Sequence, residues 1–311
     1  MAKMTSIGGQ ALLEGIMMRG PEMSAMAVRH VVSKEIIIEE FETKGKDRAK
    51  FFKLPFIRGV FNMYDSITFG YKCLMRSAEL CGMEEEENAK KEKKGPSKWD
   101  QLFEKLLMPI ATVLAVVIGL GLFLYLPMQL WKWLAAGIPS IAGSYFLRAC
   151  FEGVLRIVLF VAYVWATSLM SDIRRTYQYH GAEHKTIYCY EAELPLTVEN
   201  VRKQSRLHPR CGTSFMILML IVSIVVGMFI RIDALPLRMA VKLLLFPLII
   251  GIGYELIKLA GRKNNLFTRI ISKPGMWLQK ITTLEPDDDM IECASAAMKL
   301  AIPKEEGADN W

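Results

Sequence analysis

TSFMILMLIVSIVVGMFIRI, residues 213–232, decides the class of this chain. Its interior has no charged side chain, and a helix that crosses a bilayer needs about 20 predominantly apolar residues. A helix on the surface of a soluble domain keeps a polar face; this stretch offers none. Working outward, residues 106–126, 146–170 and 239–260 are also long and apolar. The first of these is equally free of interior charge, whereas 146–170 carries Arg148, Glu152 and Arg156. With 52% of its 311 residues hydrophobic, the chain reads as mainly α, a polytopic membrane protein with about four transmembrane helices.

Basic residues set the expected orientation. The link between the first two spans holds only Lys132. The link 171–212 holds Arg174, Arg175, Lys185, Arg202, Lys203, Arg206 and Arg210, and Arg262, Lys263, Arg269, Lys273 and Lys280 follow the last span. The positive-inside rule then puts both termini and the 171–212 loop in the cytoplasm. No cleavable signal peptide is expected, because the first 30 residues have no uninterrupted apolar core ahead of a small-residue cleavage site. Cysteines at 73, 81, 150, 189, 211 and 293 form no C-x-x-C pair, and in that compartment structural disulfides are not expected. The net charge of +7 follows from the same bias. Its expected partner is the lipid bilayer rather than a specific nucleic acid.

Around the membrane domain of residues 101–263 the composition shifts several times. Residues 1–50 read as a small β-containing unit, with strands at Ala25–Arg29 and Glu35–Glu39 and a turn near Ser33 and Lys34. Ahead of them, the glycine-rich run 7–21 fits no phosphate-binding motif and reads as a segment packed tightly against the membrane domain. Residues 51–82 place Phe56, Val60, Phe61, Tyr64, Ile67, Tyr71 and Leu74 on one helical face, an amphipathic segment. Opposed acidic and basic blocks make 83–100 a linker. Residues 264–311 form a cytoplasmic tail, with a helix over 290–300 behind an acidic cluster.

Chemistry concentrates in His180-Gly181-Ala182-Glu183-His184, in a chain that has four histidines. Imidazoles at i and i+4 share a helical face and can grip one ion. H-x-x-E-H is the inverted zinc-peptidase arrangement, in which the glutamate between the ligands serves as general base. The helix of the second span is expected to run past the membrane surface through Tyr179 into this motif. A zinc site needs further ligands. His208 and Cys211 lie in the same loop, and Glu255 stands near the end of the last span. The third ligand is left open between Glu255 and His208 or Cys211, with Cys211 also a fourth. Without an ion, Glu183 would serve only to pair with Lys185 or Arg174. The stripe of Arg148, Glu152 and Arg156 reads first as a self-neutralising ladder and second as a polar path through the membrane.

Several segments together resemble one family. Residues 7–21, His180–Lys185, His208–Phe215, Tyr254-Glu255 and Pro274–Gln279 with Glu285-Pro286-Asp287-Asp288 are similar to the hallmarks of the bacterial YqhQ-like membrane proteins. The likeness covers most of the chain. It implies a multi-pass protein of the bacterial plasma membrane and carries the expectation of a metal-dependent enzyme, with no substrate attached. The function expected is thus a zinc-dependent hydrolase at the cytoplasmic membrane surface, with His180 and His184 on the metal and Glu183 as base. The alternative is a non-enzymatic scaffold or an assembly and quality-control factor that docks a membrane-protein partner through its histidine loop.

Overall fold

In a computed structural model, residues 4–43, 49–83, 98–262 and 266–310 are described. The chain divides into two units, one of residues 1–87, 164–218 and 251–311, the other of residues 88–163 and 219–250. Most of the charged run expected to be a linker lies outside the described residues.

The first unit is organised by an antiparallel meander: β1 (Gly8–Leu12), β2 (Gly15–Arg19), β3 (Met23–Arg29) and β4 (Ile36–Glu42), in sheet order 1-2-3-4. Helices bury both faces of its centre. Ile16, Met18 and Ala27 point one way, toward Met290, Cys293, Ala294, Ala297 and Met298 of the C-terminal helix α12 (Asp288–Ala301). Met17, Met26 and Val28 point the other way, toward Cys73 and Cys81 and the partly buried Phe69 and Leu74 of α1 (Ile57–Leu80) and its end. A strand covered on both sides reads as an unbroken apolar run rather than an alternation. That is why β2 does not announce itself in the sequence.

The glycine-rich run is therefore β1 and β2, not a separate tight segment. Glycine weakens a strand and usually marks the close approach of another element. A Cβ on Gly9 would stand 3.0 Å from the carboxyl carbon of Glu183 and 2.7 Å from the Met17 carbonyl. The close contacts of this run, expected against the membrane domain, are with Met17 and Glu183 of its own unit.

Among the described residues, two helices are long and apolar enough to cross a membrane, Pro109–Gly137 and Tyr145–Thr167. A third candidate is the pair α9 (Leu235–Leu244) and α10 (Phe246–Arg262), bent by 43° at their junction. The uncharged apolar stretch 213–232 forms a shorter helix than expected, α8 (Gly212–Gly227). The first of these candidates runs further than its sequence suggests: α2 (Lys98–Leu120) passes through a π turn (Gly121–Tyr125) into α3 (Leu126–Gly137). Pro127 gives no N–H to the Phe123 carbonyl four residues back, a defect that ordinarily ends or kinks a helix. Here Nε of Arg156 donates to that carbonyl at 2.7 Å.

After the short α4 (Pro139–Ala142), α5 (Tyr145–Thr167) does not continue into the histidine motif. The motif rides on a new helix, α6 (Ser171–Glu191). The interruption is chemical: Thr167 and Ser168 turn their hydroxyls onto the Val164 and Trp165 carbonyls at 3.0 and 2.6 Å. Such side-chain bonds compete with the helical ladder. Met170 is then extended, and Asp172 sits in the first turn of α6, where the helix dipole favours it. Past the short α7 (Val198–Arg202) and α8 to α10 comes α11 (Leu266–Thr282), a helix with Pro274 in its interior. Gly275 lies against Ser214, where any side chain would collide.

Candidate metal centre

Tyr179 and Ala182 of α6 join the core formed with the sheet and α12, which fixes the rotation of the helix. The faces carrying His180, Glu183 and His184 are set accordingly. Gly181 permits the approach of the chain that follows α11, since a Cβ there would collide with the Leu284 carbonyl oxygen. The Leu284 N–H in turn donates to the Tyr177 carbonyl at 2.9 Å.

Nδ1 of His180 lies 2.9 Å from the Thr282 carbonyl, and Nδ1 of His184 lies 2.6 Å from the Arg206 carbonyl. A carbonyl can only accept, so both Nδ1 atoms carry hydrogen and neutral rings leave Nε2 bare. Backbone carbonyls commonly set metal-binding histidines in this way. Nε2 of His180 is 3.1 Å from Sγ of Cys211. Nε2 of His184 is buried and has no hydrogen-bond partner. Among the described residues, His180, His184 and Cys211 bring their ligand atoms within 4.8 Å of one another. Two imidazoles and a thiolate are a donor set that zinc takes, and an orphaned buried nitrogen aimed at the group suits an ion.

The electrostatics favour the thiolate of Cys211 and, beside it, the protonated ring of His180, whose proton an incoming metal ion would displace. Burial would push the Cys211 thiol up, but His180 and His184 overcome it and hold the group well below the usual thiol range. The hydroxyl of Thr213 adds a hydrogen bond to the sulfur at 3.3 Å. Burial would push His180 down, yet the neighbouring Cys211 and Glu183 carry it up to about 9. Glu183 is pushed above the carboxylate range by burial, against the opposing pull of the two histidines. Its Oε1 accepts from the Gly9 N–H at 3.0 Å, so strand β1 orients it.

The other two ligand candidates are held elsewhere. The His208 ring lies tilted to His184, with ring centroids 5.6 Å apart, and edge-on to Tyr188 at 4.7 Å. Its Nε2 faces Glu191 at 3.7 Å, and burial keeps the ring below the usual imidazole range. Glu255 is occupied by Arg58, which donates from Nε at 2.7 Å and from Nη2 at 2.5 Å, while the Phe56 N–H adds a contact at 3.3 Å. The long-range pairing of α1 with α10 could not be read from either segment alone.

Residues that the sequence did not single out support the centre. Gln279 is fully buried in α11. It accepts from the His208 N–H, donates to the His208 carbonyl (both 2.7 Å), and reaches Oγ of Ser214 at 3.1 Å. It thus clamps both ends of the segment that carries Cys211. Glu191 binds Arg210 and accepts from the Thr5 N–H at 2.9 Å, tying the same segment to the start of the chain.

The family model described as "Protein of unknown function (DUF1385)" matches residues 54–304. The chain is also 34% identical over 293 residues to "Uncharacterized protein YqhQ" of Bacillus subtilis (strain 168), which covers 92% of this chain and 89% of that protein. The chain belongs to this family. No solved structure matches it. The resemblance read from the histidine, glycine-rich and C-terminal motifs is thereby met, at the level of family membership. All residues of the candidate centre except Gly9 fall inside the matched region.

Proposed function

We propose that this protein is a membrane metalloenzyme in which His180, His184 and Cys211 hold a zinc ion and Glu183 is the acid–base group beside it. The observation that carries the reading is the convergence of the three ligand atoms within 4.8 Å, with each imidazole Nδ1 committed to a carbonyl. Three protein ligands leave zinc a position for water, whose acidity the metal raises. Glu183, held by the Gly9 N–H and raised by burial, is placed to take up a proton from that water. Hydrolysis is the reaction class these roles serve.

The proposed setting is the bacterial plasma membrane, with four spans, both termini in the cytoplasm and the histidine-bearing segment at the cytoplasmic surface. The short α8 and the bent α9–α10 pair supply the third and fourth spans in this scheme. The basic residues on either side of them support the orientation.

Burial supports a second reading: His184 is 1% and Cys211 9% exposed. A closed metal site of that kind would brace a scaffold or assembly factor for a membrane-protein partner. Glu183→Gln separates the two. The enzyme reading expects metal retained and hydrolytic turnover lost across a panel of ester, amide and phosphate substrates. A variant that keeps full cellular function would support the scaffold.

A further inference from the structure

The second unit contains a cluster of ionisable side chains that the metal centre does not use. Arg148, Glu152 and Arg156 lie one helical turn apart on α5, and Arg238 and Lys242 stand likewise on α9. Glu152, 2% exposed, pairs with Arg238 at 3.3 Å and with Lys242. Arg148 donates to the Ile230 carbonyl at 2.5 Å and to Asp233 at 2.9 Å. Arg156 donates to the Phe123 carbonyl at 2.7 Å and to the Ser223 hydroxyl at 3.3 Å.

The ladder expected from the sequence does not neutralise itself. Four cations meet two carboxylates, and the side chain of Asp233 is 78% exposed, which leaves Glu152 as the buried counter-charge. Two guanidinium nitrogens, Nη2 of Arg156 and Nε of Arg238, are buried without an acceptor, and Oε1 of Glu152 is buried without a hydrogen-bond donor. Excess charge inside a membrane domain is costly, and so is an unmet buried donor. Water would satisfy the donors and leave the charge. An anion satisfies both.

We propose that this cluster is an anion-binding site for a phosphate group, with Arg156 and Arg238 as its donors and Lys242 as a supporting charge. Planar guanidinium forks match phosphate oxygens. Glu152 holds Arg238 and Lys242 in place without cancelling the cluster. The phosphate can come from a lipid headgroup or from a phosphorylated or inorganic solute.

The test uses full-length protein in detergent, stripped of loosely held lipid. Native mass spectrometry and phosphorus analysis measure retained phospholipid, and calorimetric titration with inorganic phosphate measures the free anion. Wild type is expected to give a positive result in one arm, which names the source. Arg156→Gln and Arg238→Gln should each weaken that binding by about tenfold or more. Should either fail to fold, Arg156→Lys and Arg238→Lys keep the charge, lose the fork, and are expected to weaken binding with an unchanged elution profile. The proposal is overturned if wild type retains no phospholipid and gives no heat with phosphate. It is equally overturned if folded variants bind as well as wild type.

Discussion

His184 and His208 are both buried, both imidazole, and their rings are neighbours, yet their surroundings assign them different work. The Nε2 of His184 is orphaned beside Cys211, whereas that of His208 faces Glu191. His184→Ala is therefore expected to abolish stoichiometric zinc, and His208→Ala to leave it within about tenfold, both read by competition with a chromophoric chelator. Gln279→Ala, which frees the segment bearing Cys211, should weaken the metal by about 10–100-fold without removing a ligand. The sequence made the histidine pair and Cys211 legible because ligand types and short spacings are local properties. Gln279, Glu191 and the two orienting carbonyls were not legible, since each acts across the tertiary fold. A pH effect belongs here as well. Burial opposes ionisation of Glu191, but hydrogen bonding from His208 and the charge of Arg210 prevail, and its carboxyl is held below the usual range. Its contribution to stability is complete above the ordinary carboxylate pKa, about 4.3, and is lost as pH falls through the depressed native value. The difference in Tm between wild type and Glu191→Gln should thus shrink between neutral and strongly acidic pH.

Helix α6 owes its place to Tyr179 and Ala182 on one side and to Gly181 against the 282–286 segment on another. Gly181→Ala forces a methyl group into the Leu284 carbonyl and should cost about 1–3 kcal/mol, measured by thermal or denaturant unfolding, with metal affinity reduced alongside. At this scale the sequence was readable where periodicity was clean. Helix α1 occupies most of the 51–82 segment, though Tyr64, Ile67 and Tyr71 of the expected apolar face are exposed and Gly70, Cys73 and Ser77 are buried instead. The helix expected over 290–300 lies within α12. It was opaque where context overrides propensity. β1 and β2 were hidden by glycines and two-sided burial, and the break after Thr167 by hydroxyls bonding back to the helix. Pro127 directly follows the apolar stretch 106–126, but the π turn and the donated bond from Arg156 carry the helix past it.

In the first unit, residues far apart in the chain form one core: β2 and β3 near the start, α6 in the middle, and α12 near the end. Truncation before Asp288 removes Met290, Ala294, Ala297 and Met298 from the face of the sheet, so the remaining chain should lose the compact unit and become protease-sensitive. The apolar composition pointed to membrane helices in the sequence, and among the described residues two helices, or three with the bent pair, have the length and character for it. Helix breaks within apolar runs are what composition alone does not reveal, since Leu245 and Gly227 are both compatible with a continuous span.

The most direct test of the metal centre is elemental analysis of detergent-purified full-length protein, with wild type beside His184→Ala and Cys211→Ser. One zinc or similar ion per chain, lost in both variants that still elute as folded protein, is the expected result. Wild type without stoichiometric metal after purification free of chelators, and unable to take up zinc when it is supplied, would contradict the account.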